Sequence, residues 1–125
     1  LPSRLQAYER MTLFLERIAP QNLLIRLNTV NMPYSEFHQL LLSEIRNEYN
    51  HNASQQVYMS EDVWSLIKNA KEDLIVTINE AAAQMNVNSS SLDLAKKIFE
   101  FSVNKPIDPL GHALTEMKKE IQRTF

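Results

Sequence analysis

Glu44, Glu48 and His51 stand at i, i+4 and i+7, so on a helix all three project from one stripe bordered by Phe37 and Leu40. Two carboxylates and an imidazole on one face can ligate a divalent metal or hold a small polar molecule. Glu48 and His51 also make the Glu-x-x-His spacing of helical di-iron bundles, which use that motif twice together with two further carboxylates. The chain has no second Glu-x-x-His. Such spacings are common by chance, so the three read first as an ordinary salt-bridge cluster or helix-end histidine, with metal or small-molecule binding through them as the alternative expectation; no cofactor is expected.

Lys71 is the second residue out of place. It falls among Trp64, Ile67, Ile75 and Ile78 on an otherwise apolar arc, where an unpaired ammonium is costly. Glu44 and Glu48 interrupt the apolar stripe of their own helix in the same way, so the expectation is a buried ion pair between Lys71 and one of the two. His112 with Glu116 falls on an outer helix face, and His38 sits beside apolar positions; both read as structural or solvated. Ser89, Ser90 and Ser91 read as a loop and cap, with no Gly-x-Ser-x-Gly turn to activate a nucleophile. No catalytic residue is assigned.

Whole classes of chemistry are excluded by what is missing. No cysteine means no disulfide, thiolate nucleophile or Cys-ligated metal, and fits a reducing compartment. Gly111 is the only glycine, whereas phosphate-cradling and dinucleotide loops need several. With 13 Lys and Arg against 15 Asp and Glu, the net charge of −2 offers no field to attract nucleic acid.

The elements that must carry these residues are helices. In 125 residues, 44% hydrophobic and 22% charged, one hydrophobic core fits and two do not, so residues 1–125 read as a single domain. Ser3 caps a first helix to about Ala19, with Leu5, Tyr8, Met11, Phe14, Leu15 and Ile18 inward and Leu13 stranded on the polar side. Pro20 opens a short second helix to Leu27. A third spans about 34–50 with Phe37, Leu40, Leu41, Ile45 and Tyr49 inward, followed by an irregular polar stretch over 50–56. The only trace of strand alternation is at 56–59.

Ser60 with Glu61 and Asp62 starts the longest helix, to about residue 86, with Met59 placed to staple onto Trp64. Ser90 and Asp93 form a capping box for a fifth helix whose apolar face is Leu94, Ala95, Ile98, Phe99 and Phe101. Asp108 and Pro109 open the last, with a narrow stripe of Leu110, Leu114, Met117 and Ile121. The class is all-α, a compact bundle of five or six helices.

The runs Arg4-Leu5-Gln6-Ala7-Tyr8-Glu9-Arg10, Phe14-Leu15-Glu16-Arg17-Ile18, Ser54-Gln55-Gln56-Val57-Tyr58 and Lys68-Asn69-Ala70-Lys71-Glu72 resemble an uncharacterised family from Bacteroidota, over nearly the whole chain. Its members are small proteins with one N-terminal transmembrane helix, a short basic and polar linker, and a helical domain. The resemblance implies no activity and no site residues. It implies that this domain is the soluble portion of a single-pass protein on the cytoplasmic side of the inner membrane, which suits a first residue that is not Met.

The leading expectation is therefore a non-enzymatic protein-interaction or scaffolding domain, with Leu13 and the stripe Leu110, Leu114, Met117 and Ile121 as candidate contact residues. The partner is another protein or a second copy, with the final stripe as a seam between copies.

Overall fold

A computed structural model describes residues 2–125; Leu1 lies outside the described residues. Six α-helices follow one another: α1 (Pro2–Ile18), α2 (Pro20–Leu27), α3 (Tyr34–Asn52), α4 (Glu61–Ala83), α5 (Ser91–Val103) and α6 (Pro109–Thr124). A 3-10 helix, Ala53–Tyr58, joins α3 to α4, and no strand occurs among the described residues. No described helix is long and apolar enough to cross a membrane.

Local chemistry sets most of the boundaries. The Ser60 hydroxyl accepts the Val63 N–H at 3.1 Å and opens α4, the longest helix at 23 residues. Ser90 and Asp93 close a complete capping box, with Asp93 N–H donating to Ser90 Oγ at 3.2 Å and Ser90 N–H to the Asp93 carboxylate at 2.9 Å. Hydrogen bonds from the Ser90 backbone and then its hydroxyl hold the Asp93 carboxyl below its usual range. Asp108 caps α6 by accepting the Gly111 N–H at 3.1 Å, and a Cβ at Gly111 would run into that carboxylate. The single glycine thus stands where a cap folds over the first turn.

Three boundaries differ from the sequence reading. Ser3 lies inside α1, which begins at Pro2. The segment expected to be irregular is helical, as α3 runs on to Asn52 and the 3-10 turns follow it without a strand at 56–59. The reason is tertiary: Arg10 of α1 donates to Asn52 Oδ1 at 3.1 Å and to the His51 carbonyl at 3.2 Å, and Asn52 Nδ2 donates to the Glu48 carbonyl at 2.8 Å. With these polar groups satisfied, Asn52 is buried, as is Gln55, whose Nε2 donates to Ser54 Oγ at 3.2 Å. Finally, α4 stops at Ala83, three residues short of the expected end.

α4 packs against α3, α5 and α6, while α1 packs against α2, α3 and α6. Tyr8, Phe14, Phe37, Ile67, Ile78 and Leu94 are among the largest fully buried side chains. The α2–α3 and α4–α5 connections clamp together: Ser91 N–H donates to the Met32 carbonyl at 2.7 Å, Tyr34 N–H to the Ser89 carbonyl at 3.0 Å, and Met32 N–H to Ser91 Oγ at 3.2 Å. Ser91 is fully buried there, which no helix-face argument indicates.

Three residues assigned to the core from periodicity are instead exposed: Leu5, Leu40 and Phe99. Each lies at the edge of its helix's apolar arc, where the placement of the neighbouring helix decides burial. The last helix buries Leu110, Ala113, Met117 and Glu120, centring its inward face one position earlier than the expected stripe. Leu110 and Met117 are core residues of this same domain, and Leu114 and Ile121 pack against that core. The stripe therefore faces α4 and α1 of its own domain.

Candidate functional site

Glu44, Glu48 and His51 do not converge on a common point. Arg17 of α1 grips Glu48, with Nη2 at 2.8 Å and Nε at 2.9 Å from the same carboxylate oxygen. Arg26 of α2 lies 3.5 Å from Glu44 and donates to the Arg17 carbonyl at 3.1 Å. His51 is exposed and takes part through its backbone carbonyl. Among the described residues, no group of three or more His, Asp or Glu side chains could hold a metal ion. The carboxylates that read as ligands are instead the α3 side of a two-arginine clasp.

That clasp also overturns the expected pairing of Lys71 with Glu44 or Glu48, since the arginines of α1 and α2 reach the carboxylates first. The Lys71 ammonium lies 3.0 Å from Glu72 and 4.0 Å from the centroid of the Tyr49 ring. Tyr49 sits between Phe14 and Trp64, with ring centroids 6.0 and 5.9 Å away. An aromatic face attracts a cation electrostatically while its stem stays in apolar surroundings, so Lys71 is accommodated with its side chain only 12% exposed.

A buried polar node escaped the sequence reading. Glu120, 6% exposed, accepts the Tyr8 hydroxyl at 2.8 Å and the Ser60 backbone N–H at 3.2 Å. Burial alone would push the Glu120 carboxyl up. Hydrogen bonds from the Ser60 side chain and backbone, then from Tyr8, and the charge of Arg4 outweigh it and hold the carboxyl below its usual range. Burial, followed by the Glu120 contact, raises the Tyr8 phenol. Glu120 therefore joins α1, α6 and the start of α4, where a negative charge also meets the positive end of the helix dipole. The available signal was its spacing of three from Met117, which turns it inward.

Exposed apolar side chains gather on the outer face of α1 and α2. Leu5 is 44% exposed, Leu13 56% and Ile25 80%. They line two adjoining depressions that share Leu13 and Glu16: one lies between α1 and Ile121 of α6, the other between α1 and α2. Four charged residues line the pair, namely Glu9, Glu16, Arg17 and Arg26. The two arginines are engaged with Glu48 and Glu44, and Glu9 and Glu16 form no ion pair among the described residues. Of the expected contact residues, Leu13 and Ile121 line this surface.

Residues 1–124 match the profile of a family of unknown function, DUF7935, and the chain belongs to that family. No curated protein and no solved structure matches it.

Proposed function

Proceeding from a family without an assigned activity, we propose that this chain is a non-enzymatic interaction domain that docks a protein partner on the α1–α2 face. The observation carrying this reading is the clustering of Leu5, Leu13 and Ile25 over two joined depressions. Large apolar side chains held out in water along a continuous trough are the usual mark of an interaction surface, whereas scattered ones need no explanation. The ion pairs beneath the trough brace it: Arg17–Glu48 and Arg26–Glu44 tie α1 and α2 to α3, so the docking face rests on a fixed platform. The membrane tether and cytoplasmic setting implied by the resemblance belong to the same proposal, with the domain presenting its trough beside the membrane.

Site-specific photocrosslinking in the native cell tests the reading. A photoreactive residue at position 13 or 25 should yield one recurrent protein adduct, absent when it stands at position 76 on α4, whose Val76 is also exposed. Adducts that are equal at all three positions, or absent from 13 and 25, would count against the proposal. Fusing a reporter upstream and fractionating the cell decides the tether separately.

A further inference from the structure

We infer that the occupant of this face is a basic amphipathic helix, an assignment that rests on the interaction reading above and adds the chemistry of the partner. The trough has a repeat. Leu5 and Leu13 are eight residues apart on α1, and Glu9 and Glu16 are seven apart, so both pairs are separated by roughly 10–12 Å at 1.5 Å per residue. Apolar and acidic side chains therefore alternate along one side of α1, Leu5, Glu9, Leu13, Glu16, and Ile25 of α2 lines the second depression together with Leu13 and Glu16. A helix laid alongside matches that spacing with apolar residues two turns apart and Lys or Arg two turns apart beside them, the helix-in-groove mode of recognition.

Charge selects this occupant over the others that an apolar trough would accept. The arginines beside the trough already have partners on α3: Arg17 and Arg26 its carboxylates, Arg10 the Asn52 side chain and the His51 carbonyl. What remains for a partner is Glu9 and Glu16, two carboxylates beside apolar anchors. An anionic lipid surface meets repulsion there. A second copy docking symmetrically would bring the same acidic patch against itself, the like-charge arrangement that complementary interfaces avoid. A helix carrying cations satisfies both features at once.

The probe is an 18-residue capped peptide of Leu, Lys and Ala, with Leu at i, i+4 and i+7 and Lys flanking them, compared with the same peptide carrying Gln or Glu in place of Lys. Binding is followed by fluorescence anisotropy and by amide NMR of the labelled domain. The Lys peptide should bind with shifts confined to α1 and α2. Glu9→Gln with Glu16→Gln should weaken it about fivefold to tenfold, consistent with two rim ion pairs, and the loss should shrink in high salt. Glu9→Lys with Glu16→Lys should transfer preference to the Glu peptide, and Leu13→Gln with Ile25→Gln should abolish binding of both.

Equal binding of the Lys and Gln peptides, still lost in Leu13→Gln with Ile25→Gln, overturns the basic assignment while leaving the docking face in place. Binding of no peptide to this face overturns the assignment too, and the photocrosslinking at positions 13 and 25 then decides the docking face independently. Leu13-dependent binding to vesicles of phosphatidylcholine and phosphatidylglycerol at four to one, or a dimer in sedimentation that Glu9→Lys disperses, overturns it in favour of lipid or a second copy.

Discussion

Replacing Glu120 should show that a single buried carboxylate holds three helices together. In Glu120→Ala, the Tyr8 hydroxyl, on a fully buried residue, loses its acceptor, at a cost of about 1–3 kcal/mol for a stranded buried polar group. Loss of the packed Cγ methylene adds roughly 1 kcal/mol, and loss of the charge at the start of α4 adds about 0.3–1 kcal/mol. The sum is about 3 kcal/mol, a large fraction of a total of about 5–15 kcal/mol for a domain. Glu120→Gln keeps the shape and an acceptor but exchanges charge-assisted bonds for neutral ones, so about 1 kcal/mol is expected.

The same node has a pH signature. The folded Glu120 carboxyl titrates below its unfolded value of about 4.3, so its stabilisation is fully present above that value and is lost as pH falls through the folded one. Urea unfolding of wild type and Glu120→Gln from pH 7 to pH 3 measures this directly. The gap between the two proteins should hold constant above about pH 5 and close below about pH 4. Tyr8→Phe should couple to Glu120→Gln by about 0.5–3 kcal/mol in a double-mutant cycle. A gap that does not change with pH, or no coupling between the two sites, would refute the reasoning.

The remaining expectations are shorter. Lys71→Met and Tyr49→Leu should show a coupling of about 1 kcal/mol in denaturation, whereas Lys71→Met with Glu44→Gln should be additive, since Lys71 faces the Tyr49 ring and Arg26 takes Glu44. Ser90→Ala should cost about 1 kcal/mol through the lost capping box and let the Asp93 carboxyl pKa rise toward its usual value in an NMR titration. Met117→Ala should destabilise by about 2–5 kcal/mol with no change in mass by light scattering, because Met117 lies in this domain's own core. Added Zn2+ or Co2+ should leave the Tm of wild type and His51→Ala unchanged, since Glu48 is already held by Arg17.

Much of the fold is legible in the chain because its signals are local. Ser60, Ser90 with Asp93, and Asp108 with Pro109 announce three helix starts, and the structure uses all three, since a cap needs only the residues within one turn. The inward faces of α1, α3 and α4 follow from the 3.6-residue period for the same reason. The pattern stops being informative at the margins of each face. Leu5, Leu40 and Phe99 belong to apolar arcs and still end in water, while Glu120 sits one position from an arc and ends in the core.

Partner choice among charged residues was not legible at all. Periodicity marks Glu44, Glu48 and Lys71 as misplaced, but the arginines that take the two carboxylates come from α1 and α2, 31 positions from Glu48 in the case of Arg17. Which cation arrives first depends on how α1 and α2 lie across α3. The aromatic face that receives Lys71 depends likewise on Phe14, Tyr49 and Trp64 meeting from three helices.

By itself, then, the amino-acid order determines that these residues are helical, where most of the helices begin, and that they carry no thiol and a single glycine, because backbone propensity and capping act over a few residues. Only the tertiary structure decides that Glu120, Tyr8 and Ser60 form one buried node, that the acids of α3 serve a clasp, and that Leu13 shares a trough with Leu5, Ile25 and with Glu9 and Glu16, which form no ion pair among the described residues. Those outcomes depend on the relative placement of whole helices, which small differences among many packing contacts select and no local pattern encodes.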